Sequence, residues 1–363
     1  MAPVYVRFPA SRKGLQSERM AELRRGWTTG ACAAAAARAA FERHVTGRLP
    51  DPVSIDLPRG LKASFPLAET GEWVGVEKDA GDDPDATHGA IVRARLHPAP
   101  PGAGVKFRAG PGVGTVTLPG LPLAVGEPAI NPGPRVIVAD NLRTVADEYG
   151  LAPDIEVEVG IENGEALALK TVNARLGIEG GLSVLGTTGV VIPYSCSAWI
   201  HAVYRGVDVA RAAGLDHVGA ATGRGSEAAL QALLGLPAHA MIDMGDFAGA
   251  LLKYLRRRPV ARLSLAGGFG KLSKLAAGHL DLHSDRSAVD IPRLAADLKA
   301  LGGPDASGAR SAGAVLELAG GLPLARRIAE QARETALAAL AGGTEVDVRV
   351  IDRRGRVIGE AGV

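Results

Sequence analysis

Residues 78–89, KDAGDDPDATHG, bring a lysine (Lys78), four aspartates (Asp79, Asp82, Asp83, Asp85) and a histidine (His88) into one short stretch with almost no apolar anchor. Carboxylates this close repel one another, which favours protonation of one of them and raises the cost of holding the loop together. In a chain with 22% charged residues, four acids within seven positions bring no stability of their own. The cluster therefore reads as a titrating or cation-handling site in preference to a solvated face, the commonest fate of a charge run.

Two glycine-rich turns are the next candidates. ATGRGSEAAL holds Gly223, Arg224, Gly225 and Glu227, and AGGFGKLSKLAAG holds Gly267, Gly268, Gly270 and Lys271. Each follows an expected strand and opens an expected helix, where a ligand can approach the backbone closely. Neither matches G-x-G-x-x-G or G-x-x-x-x-G-K-[ST] in full, so dinucleotide and P-loop assignments fail on spacing. Glu227, Asp243 and Asp246 are placed to bond ribose hydroxyls or to cap helices. The stretch His279-x-Asp281-x-His283-x-Asp285 can present all four side chains on one face of an extended chain, but no helical motif adds further zinc ligands. DAGDDPD likewise lacks the glycine at position six and the closing glutamate of a calcium loop, and no metal is expected.

The elements that must position these groups divide the chain in two. Residues 1–24 read as a mobile polar arm. Thr28 or Thr29 caps a helix to about His44, whose Ala33–Ala37 interior favours helix and carries only methyl groups. Its N-terminus, preceded by Arg24 and Arg25, is a seat for a carboxylate or phosphate on free N–H groups. From 52 to about 129, PVSIDLP, KASFPLA, EWVGVEK, AIVRARLHP, GTVTLPG and PLAVGEPAI read as strands between Gly/Pro punctuation. A helix at 134–150 and a strand at DIEVEVGIE complete an α+β first domain over 1–180. The second, 181–363, opens with a strand in GLSVLGTTGVVIP. It then alternates helix and strand through ARLSLAGG, which implies an α/β domain with a parallel, doubly wound sheet. Alanine-rich helices and a closing hairpin in EVDVRVIDRRGRVIG end it.

Composition narrows the function classes. The 363 residues allow two ordinary domains. Net charge of +2 without a dense basic run, and 4% aromatics, argue against a nucleic-acid partner. No run of 18 apolar residues occurs, so no membrane span is expected. Cys32 and Cys196 form no paired motif, which fits a reduced, cytoplasmic protein. A symmetric dimer is the default assembly.

The stretches LRRGWTTGACAAAAA, KDAGDDPDATHG, GPGVGTVTLPGL, GEPAINPGPR, KTVNARLGIEGGLSVLGTTGVVIP, GRGSE, MGDFAGALL and GKLSKLAAGHLDLHS together resemble, in order and along nearly the whole chain, the CbiD family of cobalt-precorrin-5B methyltransferases. The resemblance implies methyl transfer from S-adenosyl-L-methionine to carbon 1 of cobalt-precorrin-5B, giving cobalt-precorrin-6A in anaerobic cobalamin biosynthesis. It also implies an α+β first domain and a Rossmann-like second domain. A ring edged with carboxylates needs spaced cations and N–H donors. Thr28, Thr29, Lys78, Arg135, Lys271, His279 and His283 are the residues expected to bind it. Donor alignment supplies most of the rate. The acceptor carbon must be made electron-rich, for which Asp79, Asp82, Asp83 and His88 are the candidate proton acceptors, crowding being expected to raise at least one carboxyl. Gly223, Arg224, Gly225, Glu227, Asp246, Gly267 and Gly268 are expected to hold the donor. The alternatives are a corrinoid carrier without chemistry, or metal-dependent hydrolysis using the acid cluster with His279, Asp281 and His283.

Overall fold

The computed structural model describes residues 23–362, so nearly all of the expected N-terminal arm lies outside the described residues. In chain order the first half carries β1 (Gly26–Trp27), α1 (Thr29–Thr46), β2 (Val53–Leu57), β3 (Leu61–Phe65), β4 (Glu69–Thr70), β5 (Val74–Glu77), β6 (Ile91–Pro98), β7 (Val105–Ala109), β8 (Thr115–Val116), α2 (Pro132–Glu148), β9 (Ile155–Ile161), α3 (Gly164–Ala168), β10 (Ile178–Glu179) and β11 (Val190–Val191). The second half carries α4 (Cys196–Ala212), β12 (His217–Ala221), α5 (Arg224–Leu234), β13 (Met241–Asp243), α6 (Ala248–Arg257), β14 (Arg262–Gly268), α7 (Phe269–Ala276), α8 (Ile291–Ala300), α9 (Ala312–Leu318), α10 (Leu324–Leu340), β15 (Glu345–Ile351) and β16 (Val357–Ala361).

The alanine tract decides the first core. Side chains no larger than a methyl let α1 lie close against its neighbours, and Ala31 and Ala33–Ala37 are fully buried. One side of α1 meets Ile137, Val138 and Leu142 of α2. Another meets the sheet β4-β5-β6-β9-β7, in which only the β7–β9 pairing is parallel. Strand alternation sends Val74, Val76, Val92, Val157 and Val159 toward the helix, and Glu156 and Glu158 to the opposite face. The sheet gains β7, which the sequence pattern did not reveal.

Two expectations are corrected. PLAVGEPAI forms turns, because Pro122 and Pro128 cannot donate to a ladder. Residues 181–193, expected to open the second half, belong to the first. Leu182 and Val184 are buried in the first core, and β11 pairs antiparallel with β1, matching Gly26 to Val191 and Trp27 to Val190.

The second sheet runs β13-β12-β14-β15-β16, parallel through β15, with β16 antiparallel at the edge. Its two faces are sorted by alternation. Val218, Ala220, Ile242, Leu263, Leu265, Val346, Val348 and Val350 pack beneath the helices that follow. Ala221, Met241, Ala266 and Ile351 point the other way and meet Leu230 of α5. Strand order reverses between β12 and β14, which opens a crevice beyond their carboxyl ends.

Candidate active site

The acidic loop lies directly on the strand that leads into α1. The Trp27 N–H donates to the Asp79 carbonyl at 2.7 Å. A Cβ on Gly26 would stand 2.0 Å from the Ala80 carbonyl carbon, and one on Gly81, at φ +69°, would stand 2.2 Å from the Arg24 carbonyl oxygen. Only glycine permits so close an approach at either place.

Each carboxylate of the loop accepts from a donor. Arg24 Nη2 donates to Asp79 Oδ1 at 2.8 Å, and the Arg24 N–H to Asp82 Oδ2 at 2.6 Å. Asp83 Oδ1 accepts the Tyr194 N–H at 2.8 Å. Lys78 Nζ donates to Asp85 Oδ2 at 2.7 Å, and Thr87 donates to Asp85 Oδ1 through both its N–H and its hydroxyl. At Asp79 and Asp85 the shift runs opposite to the upward one expected from crowding. The hydrogen bond from Arg24 holds the Asp79 carboxyl below the ordinary range. Burial pushes Asp85 upward, but the charge and hydrogen bond of Lys78 and the two hydrogen bonds from Thr87 together outweigh it and the net displacement is downward. His88 Nδ1 accepts the Ala80 N–H at 3.1 Å, so in neutral His88 the proton sits on Nε2 and the outer edge donates.

Several expected ring contacts are engaged within the fold. Lys78 is 1% exposed, an internal partner for Asp85 and not a surface cation. Thr28 Oγ1 accepts the Ala31 N–H, capping α1, while Thr29 Oγ1 accepts the Leu185 N–H at 2.9 Å. The Thr28 and Gly30 N–H groups donate to the carbonyls of Gly189 and Leu185. The helix start is thus closed by the 185–189 turn, which corrects the anion seat expected there. Arg135 donates to the carbonyls of Ile130 and Pro128 and to Glu127 Oε1, stapling the turn before α2.

The strand-end crevice differs. A Cβ on Gly223, Gly225 or Gly268 would meet no atom within 4 Å, so packing does not account for glycine there and the backbone stands open. Gly267 is different: its Cβ would lie 2.8 Å from Thr222 Oγ1, so neighbouring-strand packing explains it. Arg224 begins α5, and Glu227, buried in its first turn, is paired with Arg175, a residue of the first half. Asp243 closes β13 beside them. Burial first, and then the charge of Glu227, raises its carboxyl above the ordinary range. The Trp199 indole N–H donates to the Asp243 carbonyl at 3.1 Å, and its ring lies against Gly245.

Asp246 is paired with Lys271, and its carbonyl accepts the Leu282 N–H at 2.8 Å, which draws residues 279–286 to this end of the sheet. His279 donates its N–H to the Lys274 carbonyl. His283 Nδ1 accepts the Asp285 N–H at 3.3 Å, and Arg286 bonds Asp281. Among the described residues no three of His, Cys, Asp and Glu stand together in a group that could hold a metal ion.

The structure thus brings Gly223, Arg224, Gly225, Glu227, Asp246, Gly268, Lys271 and the His279–His283 turn to one end of the second sheet, and leaves Thr28, Thr29, Lys78 and Arg135 inside the first half. The acidic loop touches the junction through Asp83 and Tyr194. From Tyr194 to Trp199 the chain spans at most about 13 Å. Sequence reasoning missed Tyr194 and Trp199. Asp243 carried a readable signal: it stands twenty residues after Gly223, the separation that puts an acid at the end of the second strand of a βαβ unit.

Fold and site define a two-part mixed α/β protein with a crevice at the strand ends of its parallel sheet. The chain belongs to the CbiD family: the family descriptions "CbiD" and "CbiD, C-terminal domain" match residues 16–193 and 281–362. It is 58% identical over 353 residues to the cobalt-precorrin-5B C(1)-methyltransferase of Rhodospirillum rubrum, covering 94% of this chain and 98% of that one. It is 57% identical over 350 residues to the protein of the same name from Paramagnetospirillum magneticum, covering 93% and 98%. A crystal structure of the cobalamin biosynthesis protein CbiD from Archaeoglobus fulgidus matches at 27% identity and a TM-score of 0.41, over 73% of this chain and 83% of that one. Among the described residues no helix is long and apolar enough to cross a membrane.

Proposed function

We propose that the protein transfers a methyl group from S-adenosyl-L-methionine to carbon 1 of cobalt-precorrin-5B, giving cobalt-precorrin-6A in cobalamin biosynthesis. Near-full-length similarity to enzymes bearing that name supports the reaction. The observation that carries the placement of the donor is the open backbone at Gly223, Gly225 and Gly268, located where strand order reverses. On this reading the second half is Rossmann-like and the first an α+β acceptor domain, with the join near residues 192–195.

The residues at the crevice fit an adenosyl ligand. Gly223 and Gly225 leave room for it over the start of α5, and Asp243 is placed to accept the ribose hydroxyls. Glu227, held by Arg175, couples that seat to the first half. Asp246 orients Lys271 and the 279–286 turn, whose His279 and His283 stand ready for ring carboxylates. The bound donor supplies an electrophilic sulfonium methyl, so the protein's task is alignment of two ligands more than covalent chemistry. In the acidic loop Asp79 is a poor base, because Arg24 holds its carboxyl ionised to low pH. Asp82 is the proposed proton acceptor, and His88 presents an N–H to the ring edge.

Incubation with cobalt-precorrin-5B and S-adenosylmethionine labelled in its methyl group tests the function. One label per ring, with release of S-adenosylhomocysteine, is the expected result. Tight corrinoid binding without transfer would instead identify a carrier.

A further inference from the structure

We propose that Tyr194 and Trp199 form an aromatic seat for the flat face of the methyl-accepting macrocycle, and that Asp83 is the positioning residue that holds Tyr194 in place. The proposal deepens the reading above and rests on its assignment of a tetrapyrrole-derived acceptor.

Tyr194 has φ +54°, a left-handed backbone conformation that a bulky L residue rarely adopts. Such conformations persist only where the surroundings enforce them, and they gather at ligand sites. Here the enforcement is visible. The Tyr194 N–H is fixed by Asp83, 111 positions earlier in the chain. The next residue, Ser195, is locked as the cap of α4, its hydroxyl accepting the Ala198 N–H. Yet the residue so constrained is 67% exposed and leaves most of its surface outside the fold. Energy is thus spent on presenting a phenol ring to solvent.

Trp199 shows the same pattern one turn into α4. Its indole N–H is tied to the Asp243 carbonyl and its ring edge rests on Gly245, while 46% of the residue stays exposed. Ile192, just before Tyr194, adds further exposed apolar surface to this ribbon between the halves. Held, exposed aromatic groups of this kind mark ligand surfaces.

The chemistry of the occupant follows. A conjugated macrocycle offers a broad π face, which aromatic rings recognise by offset stacking, and a rim of carboxylates. Arg286 stands beside the seat, its Nη2 3.9 Å from Cys196 Sγ, two residues from Tyr194, as a partner for that rim. Contact of Trp199 with Asp243 and Gly245 sets the seat against the donor crevice, the relation that methyl transfer requires.

The acceptor role of Asp83 needs an oxygen but no negative charge, and this separates positioning from proton handling. Binding of cobyrinic acid, a stable corrin polycarboxylate, is read by quenching of tryptophan fluorescence with S-adenosylhomocysteine present. Single-turnover methylation of cobalt-precorrin-5B is measured alongside. Tyr194→Ala and Asp83→Ala should each weaken cobyrinic acid binding by about tenfold or more, with S-adenosylhomocysteine affinity and melting temperature unchanged. Tyr194→Phe and Asp83→Asn, which keep the ring and the acceptor oxygen, should restore it. Unchanged corrin affinity in Tyr194→Ala would overturn the seat. Loss of methylation in Asp83→Asn at unchanged corrin affinity would make Asp83 a base and overturn its positioning role. Failure of the unaltered protein to bind any corrin or to methylate would instead remove the acceptor assignment, and the seat with it.

Discussion

The acidic loop at 78–89 and the strand-end crevice around 223–246 both concentrate carboxylates, and they treat them in opposite ways. In the loop every aspartate has a donor, and Asp79 and Asp85 are driven toward the ionised form. In the crevice Asp243 is half-buried beside Glu227, whose arginine partner comes from the other half of the molecule, and its carboxyl is driven toward the protonated form. Density of charge along a sequence is therefore a poor guide to reactivity. A local cluster can neutralise itself with backbone N–H groups and a buried lysine. A perturbed group arises where the fold assembles charges from distant segments with few donors between them.

The largest expected effect tests the structural side of this contrast. Lys78→Met would leave Asp85 without its internal cation, and severing a buried pair costs about 3 kcal/mol. Urea denaturation should show that loss while affinity for S-adenosylhomocysteine stays unchanged. A stable but inactive Lys78→Met protein would give the Lys78–Asp85 pair a chemical role where the contrast makes it structural.

A smaller effect sharpens the other side. Asp243→Asn should weaken S-adenosylhomocysteine binding about tenfold, near 1.4 kcal/mol, in calorimetry. It should also leave stability equal or slightly raised, because the half-buried charge beside Glu227 is removed. A raised carboxyl favours folding below its ordinary pKa, and its contribution falls as pH rises through the elevated value. The asparagine variant should therefore show the smaller decline in stability from acid to neutral pH.

The smallest effect concerns acid. Asp79 and Asp85 titrate below the ordinary aspartate value of about 3.9, so their stabilisation is complete above it and is lost as pH falls through the lowered values. Hydrogen exchange at 78–89 should accelerate below about pH 4 before the second half responds. Equal acceleration in both halves would erase the distinction.

Much of this was legible in the sequence where local rules govern. Thr28 as cap, the alanine helix, the alternation in VSIDL and the helix–strand rhythm from 196 to 276 all match their elements. Misreadings arose where tertiary contacts decide. The stretch 181–193 is strand-like in composition, but only Val190–Val191 pairs, and its partner is β1. VKFRA at 105–109 is too brief a pattern to stand out until β9 supplies its neighbour. In the site, Gly223 and Gly225 follow from strand–turn–helix logic. The loop's carboxylates were misread because their donors are the backbone N–H groups of Arg24 and Tyr194, which composition cannot display. Tyr194 was invisible for a related reason: a left-handed tyrosine is a property of its surroundings.

The central claim is that the donor lies over the open glycines at the strand ends of the second sheet. Titration calorimetry of S-adenosylhomocysteine against Gly223→Val tests it most directly, since space above that backbone lets the valine fold without strain. Affinity lowered at least about tenfold, at an unchanged melting temperature, is the predicted result. Unaltered affinity would place the donor elsewhere and contradict the account.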